Sequence, residues 1–305
     1  MKNILGSFLL LLLIGCATFE ANKKNTKPTV FTGIDEQTTN IFLIGDAGQL
    51  ENNNTPKALL AMQKNFSSAD KNDILFFLGD NIYPKGYPNK KNNNQKAAKK
   101  ALKSQIDVAK TFPGKVYFVP GNHDWYSGLK GLKNQEKMVE KHLGKNSFLP
   151  ENGCAIEKVN LNDDIVLLIV DSHWYITNWD KHPTINNDCA IKTRELFLNE
   201  FRSEIKKARG KTTLVITHHP MFSNGSHNGQ YTLKSHMTPL PILGSLKNII
   251  RTTSGASNTD MSNWFYNDLR KNLIAASQQN ENVIFLSGHE HNLQYIKIVF
   301  NKTII

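Results

Sequence analysis

The chain has 305 residues, of which 39% are apolar and 21% are charged, a balance typical of one large globular domain with a sizeable core. Its formal net charge of +11 favours anionic substrates or an anionic membrane surface. The sequence lacks the basic ladder with interleaved aromatic residues that single-stranded nucleic acid needs, so no specific nucleic-acid partner is expected.

The first sixteen residues have the layout of a secretory signal. Lys2 supplies a positive start, residues 4–14 form an apolar segment, and the small residue Gly15 stands before Cys16. Residues 13–16 resemble a bacterial lipobox, which implies cleavage before Cys16 and lipidation of its thiol. An ordinary signal peptide that happens to contain a cysteine is the alternative.

Residues 17–40 are polar and rich in Asn, Lys and Thr, a composition typical of a flexible tether. Such a tether on a lipidated Cys16 would hold a globular domain of residues 41–305 near a membrane. The sequence therefore predicts a membrane-anchored lipoprotein of the bacterial cell envelope that faces the periplasm or the exterior.

Short apolar runs alternate with amphipathic stretches from residue 41 onwards, which predicts an α/β fold. Strands are expected at residues 41–44, 74–78, 116–119, 165–170, 213–216, 283–287 and 293–305. Helices are expected after a cap at residues 52–55 and at residues 95–110, 129–143, 193–209 and 264–277. The segment 221–260 shows little periodicity and is expected to be a long loop, an element that often binds ligands.

Five of the predicted strands end in side chains that can bind a metal ion. The blocks are Gly45-Asp46-Ala47-Gly48, Gly79-Asp80-Asn81-Ile82-Tyr83, Gly121-Asn122-His123-Asp124, Thr217-His218 and Gly288-His289-Glu290-His291. Open α/β sheets bind ligands at the carboxyl ends of their strands. These side chains are therefore expected to meet at one edge of the fold.

The five blocks resemble those of the metallophosphoesterases, and among them most closely those of the purple acid phosphatases. The resemblance extends over residues 41–291 and implies a four-layer αββα sandwich that holds two metal ions. The ligands that it implies for the first ion are Asp46, Asp80, Tyr83 and His291. The ligands that it implies for the second ion are Asp80, Asn122, His218 and His289, with Asp80 bridging the pair.

One departure from the wider superfamily concerns the first block. Most metallophosphoesterases open with Asp-x-His, but Gly48 stands where that histidine would be. Tyr83 can replace the missing ligand, and a phenolate prefers a trivalent ion such as Fe(III), with Fe(II), Zn or Mn expected in the second site. The alternative for Tyr83 is a tyrosine that only packs at the end of a strand.

The resemblance implies a phosphoric monoester hydrolase of the acid-phosphatase type, in which hydroxide generated at the metals attacks phosphorus. His123, next to the ligand Asn122, is placed to protonate the departing oxygen, and Asp124 is expected to orient His123. The expected substrate contacts are Asn122, His123 and His219.

Several surrounding features allow two interpretations each. His227 and His236 either contact phosphate or are exposed polar residues, and the Lys/Asn-rich segment 84–100 is either a basic flap or solvated surface. The implied metal sites leave no ligand position for residues 171–173, which are therefore expected to play a structural or supporting part. Cys154 and Cys189 either form a disulfide or remain separate thiols.

Other functions also remain open. A phosphodiesterase acting on nucleotides or phospholipid headgroups could use the same metal site, because the pocket walls separate monoesters from diesters. The chain could also be a non-catalytic surface lipoprotein. Because it ends fourteen residues after His291, it could be truncated or be the catalytic front module of a longer envelope protein.

Overall fold

The computed structural model describes residues 39–88, 93–177 and 183–298. The strands are β1 (Ile41–Ile44), β2 (Ile74–Phe77), β3 (Lys115–Phe118), β4 (Ile156–Asn160), β5 (Ile165–Val170), β6 (Thr212–Thr217) and β7 (Val283–Leu286). The helices are α1 (Lys57–Lys64), α2 (Asn93–Ala109), α3 (Asn122–Trp125), α4 (Gly128–Leu143), α5 (Ser172–Ile176), α6 (Arg194–Lys207), α7 (Leu233–Met237), α8 (Pro241–Ser254) and α9 (Trp264–Ser277).

The strands form two sheets. The first sheet has the order β1-β2-β3 and is parallel throughout. The second has the order β4-β5-β6-β7, in which only the β4–β5 pair is antiparallel. Because parallel strands need crossover connections, helices cover the sheets. Polar residues follow the carboxyl ends of β1, β2, β5, β6 and β7 and lie along shared edges.

The hydrophobic core confirms the predicted layering. Ile74 and Phe76 of β2 share one buried cluster with Leu167 and Leu214 of the second sheet, so the two sheets pack face to face. The alternate β2 residues Leu75 and Phe77 belong to the other cluster, together with residues of the helices. Side chains alternate between the faces of a strand, so each sheet is covered by the opposite sheet on one face and by helices on the other. The fold is therefore the expected α/β sandwich.

Several predictions about individual elements are wrong. The segment 221–260 contains α7 and α8 rather than only a long loop. Strand β4 was not expected, because its Ile-Glu-Lys-Val-Asn sequence is half polar, as an edge strand allows. Residues 293–298 adopt no strand, although the strand was predicted from residue 293 onwards.

Other predictions fall on residues outside the described ranges. These are the signal at residues 1–16, almost all of the tether at 17–40, the centre of the Lys/Asn-rich loop and the last seven residues. Among the helices in the described ranges, none is both long and apolar enough to cross a membrane.

Cys154 and Cys189 form a disulfide, with their Cα atoms 5.5 Å apart. The bond joins the turn before β4 to the segment that leads into α6, two regions 35 residues apart in sequence. Of the two interpretations left open by the sequence, the structure supports pairing, which is the state expected in an oxidising compartment.

Candidate metal centre

Two aspartates lie in the turns that follow β1 and β2, at the edge of the first sheet. Asp46 and Asp80 both adopt positive φ values, 58° and 53°, which non-glycine residues rarely do. The backbone N–H of Asp46 donates to the carbonyl of Gly79 at 3.0 Å, which joins the two turns. The turns thus hold both carboxylates on one side of the sheet edge.

The four residues expected on the first ion lie together. Ligand atoms of Asp46, Asp80 and His291 are all within 4.8 Å of one another. The Tyr83 hydroxyl lies among them, 3.0 Å from Asp80 Oδ2, 3.3 Å from Asp46 Oδ1 and 3.0 Å from His291 Nε2. His291 is the outermost member, with 63% of its side chain exposed.

The four residues expected on the second ion also converge. His218 Nε2 lies 3.4 Å from Asp80 Oδ1, 3.1 Å from Asn122 Oδ1 and 3.3 Å from His289 Nδ1. All four side chains are buried. Asp80 therefore belongs to both groups, with one carboxylate oxygen directed at each.

Backbone hydrogen bonds set the orientation of these ligands. His218 Nδ1 donates to the carbonyl of Leu78 at 2.8 Å, and His289 Nε2 donates to the carbonyl of Thr259 at 2.8 Å. A carbonyl can only accept, so each histidine carries a proton on that nitrogen. The other nitrogen of His218 faces Asp80, and the other nitrogen of His289 faces His218. Asn122 Nδ2 donates to the Tyr126 hydroxyl at 2.8 Å, which leaves the amide oxygen facing His218.

This convergence of electron-pair donors requires a positive charge. When no metal ion is bound, burial disfavours the charged form of His218, but Asp80 and Asp46 outweigh burial and raise its pKa to about 10. The protonated ring then supplies the positive charge that a metal ion would otherwise supply. Carboxylate, amide and imidazole donors in this arrangement are the set that a divalent ion binds, so the residues fit a metal.

The Tyr83 hydroxyl responds in the opposite direction. Burial, followed by the charges of Asp80 and Asp46, raises its pKa far above the ordinary value. The phenol therefore keeps its proton unless a strongly Lewis-acidic ion replaces that proton. Tyr83 is positioned to be a ligand, but only a cation of high charge would make it one.

His123 lies at the opening of the site. Its ring Nδ1 donates to the carbonyl of Pro84 at 2.6 Å, and its Nε2 is 3.8 Å from Asp80 Oδ2. The side chain is 27% exposed and its ring lies 4.4 Å from that of Tyr83 and 4.9 Å from that of Tyr126. Nε2 is thus the ring nitrogen left for a substrate.

Asp124 does not orient His123, so that prediction is wrong. Its carboxylate accepts hydrogen bonds from the backbone N–H groups of Gly121 at 2.8 Å, Asn81 at 3.1 Å and Ile82 at 3.2 Å. It is fully buried, and burial raises its pKa to about 7, followed by repulsion from Asp80. Asp124 joins the turn that carries Asp80 to the turn that carries Asn122, while the carbonyl of Pro84 orients His123.

His219 was expected to contact substrate, and the structure contradicts this because the side chain is fully buried. The Ser172 hydroxyl is hydrogen-bonded to its Nδ1 at 2.8 Å and accepts from its backbone N–H at 3.1 Å. Its ring lies 4.4 Å from that of His289, and His173 stacks 6.0 Å beyond it. His219 therefore supports a ligand from behind, and the supporting part expected of residues 171–173 agrees with this packing.

The two histidines of the segment 221–260 differ in position. His227 lies beside the site, with its ring 4.1 Å from that of His289 and its Nδ1 2.9 Å from Asp260 Oδ1. His236 belongs to α7, and its Nδ1 pairs with the Ser245 hydroxyl at 3.2 Å. Only His227 could therefore reach a bound phosphate.

Sequence reasoning missed three supports of the site. The carbonyls of Leu78 and Thr259 orient the two buried histidines, and backbone groups carry no sequence signal. Tyr126 orients Asn122 from one helical turn away, a spacing that the sequence does show.

Two adjoining donor groups that share one carboxylate, at the edges of two packed sheets, have the arrangement of a two-metal site. The family model of the calcineurin-like phosphoesterases matches residues 39–293. The chain therefore belongs to the calcineurin-like phosphoesterase family, whose members typically bind two metal ions and hydrolyse phosphoesters. No curated protein sequence matches the chain closely enough to be reported as a relative.

Proposed function

We propose that the protein is a phosphoric monoester hydrolase of the purple acid phosphatase type. The observation that carries the proposal is the position of the Tyr83 hydroxyl, within 3.3 Å of Asp46, Asp80 and His291. It occupies the first group in the manner of a ligand, whereas the neighbouring phenol of Tyr126 hydrogen-bonds to the Asn122 amide of the second group.

The backbone around Gly48 supports this proposal. A Cβ atom at Gly48 would lie 2.4 Å from the carbonyl carbon of Asn81 and 2.5 Å from the backbone nitrogen of Ile82. A histidine at that position would require the Asp80 turn to move. The chain therefore has no room for the usual Asp-x-His ligand, which leaves the place to Tyr83.

Asp46, Asp80, Tyr83 and His291 would hold Fe(III), and Asp80, Asn122, His218 and His289 would hold Fe(II), Zn or Mn. When bound, such ions neutralise the charge of the phosphate oxygens and make water acidic enough to attack phosphorus. His123 borders the opening, where it can orient the ester. Asn122 was also expected to contact substrate, but it is buried like His219 and is therefore proposed only as a metal ligand. The basic character of the chain adds attraction for an anionic substrate.

His123 would supply the proton for the leaving group. Its Nδ1–H is held by the carbonyl of Pro84, so a protonated ring has only Nε2–H to give. The nearest Asp80 oxygen lies 3.8 Å from Nε2, beyond hydrogen-bonding distance, so this nitrogen remains available to the substrate. The departing oxygen would take this proton as the bond to phosphorus breaks.

The test compares a monoester and a diester with the same leaving group, p-nitrophenyl phosphate and bis-p-nitrophenyl phosphate. We expect kcat/KM for the monoester to exceed that for the diester by about tenfold or more, a difference of about 1.4 kcal/mol in transition-state binding. A preference for the diester would contradict the proposal and favour a phosphodiesterase. If both activities survived removal of the metal ions, the monoesterase and the phosphodiesterase proposals would both be contradicted.

We also propose that Cys16 is lipidated and that residues 17–40 tether the domain to a membrane of the bacterial envelope. The signal-like residues 1–16 and the disulfide between Cys154 and Cys189 support an oxidising compartment outside the cytoplasm. Cys16→Ser should move the protein out of the lipid-modified fraction, as judged by mass spectrometry. An amino-terminal peptide of the unaltered protein whose mass includes no lipid would contradict lipidation.

A further inference from the structure

The helices α7 and α8 form a hairpin that presents apolar side chains to solvent. All five leucines and isoleucines of α8 are more than half exposed, and Ile242 reaches 83%. Both apolar residues of α7, Leu233 and Met237, are exposed as well, with Leu233 at 68%. Exposed apolar residues are normally scattered singly over a protein surface, so a contiguous group of them marks a binding site.

The inner face of α8 explains why its apolar face points outward. The residues that α8 buries are Gly244 and Asn248. Gly244 lies against the backbone of α7, where a Cβ atom would come within 2.3 Å of the His236 carbonyl oxygen. Asn248 Oδ1 accepts from the Ser235 hydroxyl at 3.1 Å. The hairpin is thus joined by small and polar contacts, and its amphipathic pattern is inverted relative to a helix that packs on a core.

The charges on the hairpin select its partner. Lys234 and Lys247 flank the apolar face, and residues 221–259 contain no aspartate or glutamate. An apolar helical face with basic flanks is attracted to anionic lipid headgroups and can bury its side chains about 5–10 Å deep at the headgroup boundary. A second copy of this hairpin would instead bring like charges together.

An exposed tryptophan lies near the end of α8. Trp264, which is 77% exposed, begins α9. Its neighbour Asn263 donates from Nδ2 to the carbonyl of Gly255, the residue that ends α8, at 2.9 Å. Exposed indole rings are enriched at the interface between lipid and water, where the ring is apolar and its N–H is polar.

Short contacts connect the hairpin to the metal centre. Arg251 of α8 donates from Nε to Asp260 Oδ2 at 2.9 Å. The same carboxylate binds His227, whose ring lies 4.1 Å from that of His289. The hairpin is therefore connected to the second ligand group through Asp260 and His227.

We propose that the α7–α8 hairpin is a membrane-docking surface that inserts its apolar side chains into an anionic lipid surface. Docking would place the metal centre beside the headgroup region. This contact is separate from the lipid on Cys16 and does not depend on which phosphoester is hydrolysed.

The experiment uses the full chain in vesicles and a fluorescent label on a single new cysteine. Cys154 and Cys189 are joined to each other, and a reagent applied after lipidation of Cys16 would label only the new thiol. Ile242→Cys places the label on the hairpin, and Leu196→Cys on α6 is the matched control, because Leu196 is an exposed aliphatic residue outside the hairpin.

We expect the fluorescence emission of the label at position 242 to shift to the blue and to be quenched by lipids brominated on their acyl chains. The control label at position 196 should show neither change. Quenching at 242 should be stronger in vesicles with phosphatidylglycerol than in pure phosphatidylcholine, and adding Leu246→Glu should reduce it at least severalfold. All three positions are exposed, so these changes leave the core intact.

Equal quenching at the two positions, or none at position 242, would overturn the proposal. Energy transfer between labelled copies without quenching by brominated lipid would also overturn it, because that result assigns the face to a second copy of the chain. Catalytic activity is not a readout, so a failure here leaves the proposed hydrolysis untouched.

Discussion

The two ligand groups share Asp80 but are built differently. In the second group, His218, Asn122 and His289 are buried and each is oriented by a hydrogen bond to a group outside the cluster. In the first group, Tyr83 and His291 contact mainly the other ligands, and His291 is largely exposed. The comparison indicates that the protein itself orients the second group, whereas the ion proposed for the first group would have to order Tyr83 and His291.

The largest effect is expected from the residue that both groups use. Asp80→Asn removes the bridging charge while keeping the size of the side chain, so both ions should be lost. Activity should fall by about 10³-fold or more, which corresponds to about 4 kcal/mol. Metal analysis by mass spectrometry checks the cause. Retention of two ions per chain would contradict the assignment of Asp80 as the bridge.

The difference in burial can be tested with two histidines. His218→Ala opens a cavity in the buried group and should lower the free energy of unfolding of the metal-free protein by about 2–4 kcal/mol. His291→Ala changes an exposed side chain and should alter it by no more than about 0.5 kcal/mol. Urea unfolding in the presence of a chelator measures both. Similar losses for the two variants would contradict the comparison.

His123 tests the chemistry rather than the metal ligands. His123→Ala should lower kcat by about 10²-fold for an alkyl phosphate, whose leaving group needs a proton. The loss should be much smaller for p-nitrophenyl phosphate, which departs as a stable anion. Metal content should remain that of the unaltered protein. Equal losses for both substrates would exclude His123 as the proton donor.

Much of the site can be predicted because the strands dictate where its residues meet. Asp46, Asp80 and His218 each follow an apolar strand, and parallel strands bring their carboxyl ends to one edge. The predicted meeting of the seven ligand side chains is what the structure shows, whereas their binding of metal stays a prediction. The lipidation of Cys16 and the tether also stay predictions, because they lie outside the described ranges.

The remaining features depend on packing that no local pattern reveals. Asp124 follows His123 in the sequence, yet its carboxylate turns inward to three backbone N–H groups. His219 follows His218, yet its side chain is buried behind the site. Helix α8 was missed although its apolar residues have helical spacing, because Gly, Ser, Asn and Thr surround them and their exposed face does not serve the core.

The central claim is that Tyr83 is a ligand of a trivalent iron in the first group. The most direct measurement is the visible absorption spectrum of the purified protein, recorded together with its metal content. If Tyr83 binds Fe(III), the protein will contain iron and show a violet band, which Tyr83→Phe abolishes while the buried second group keeps its ion. A colourless protein that holds two zinc or manganese ions and is unaffected by Tyr83→Phe would contradict it.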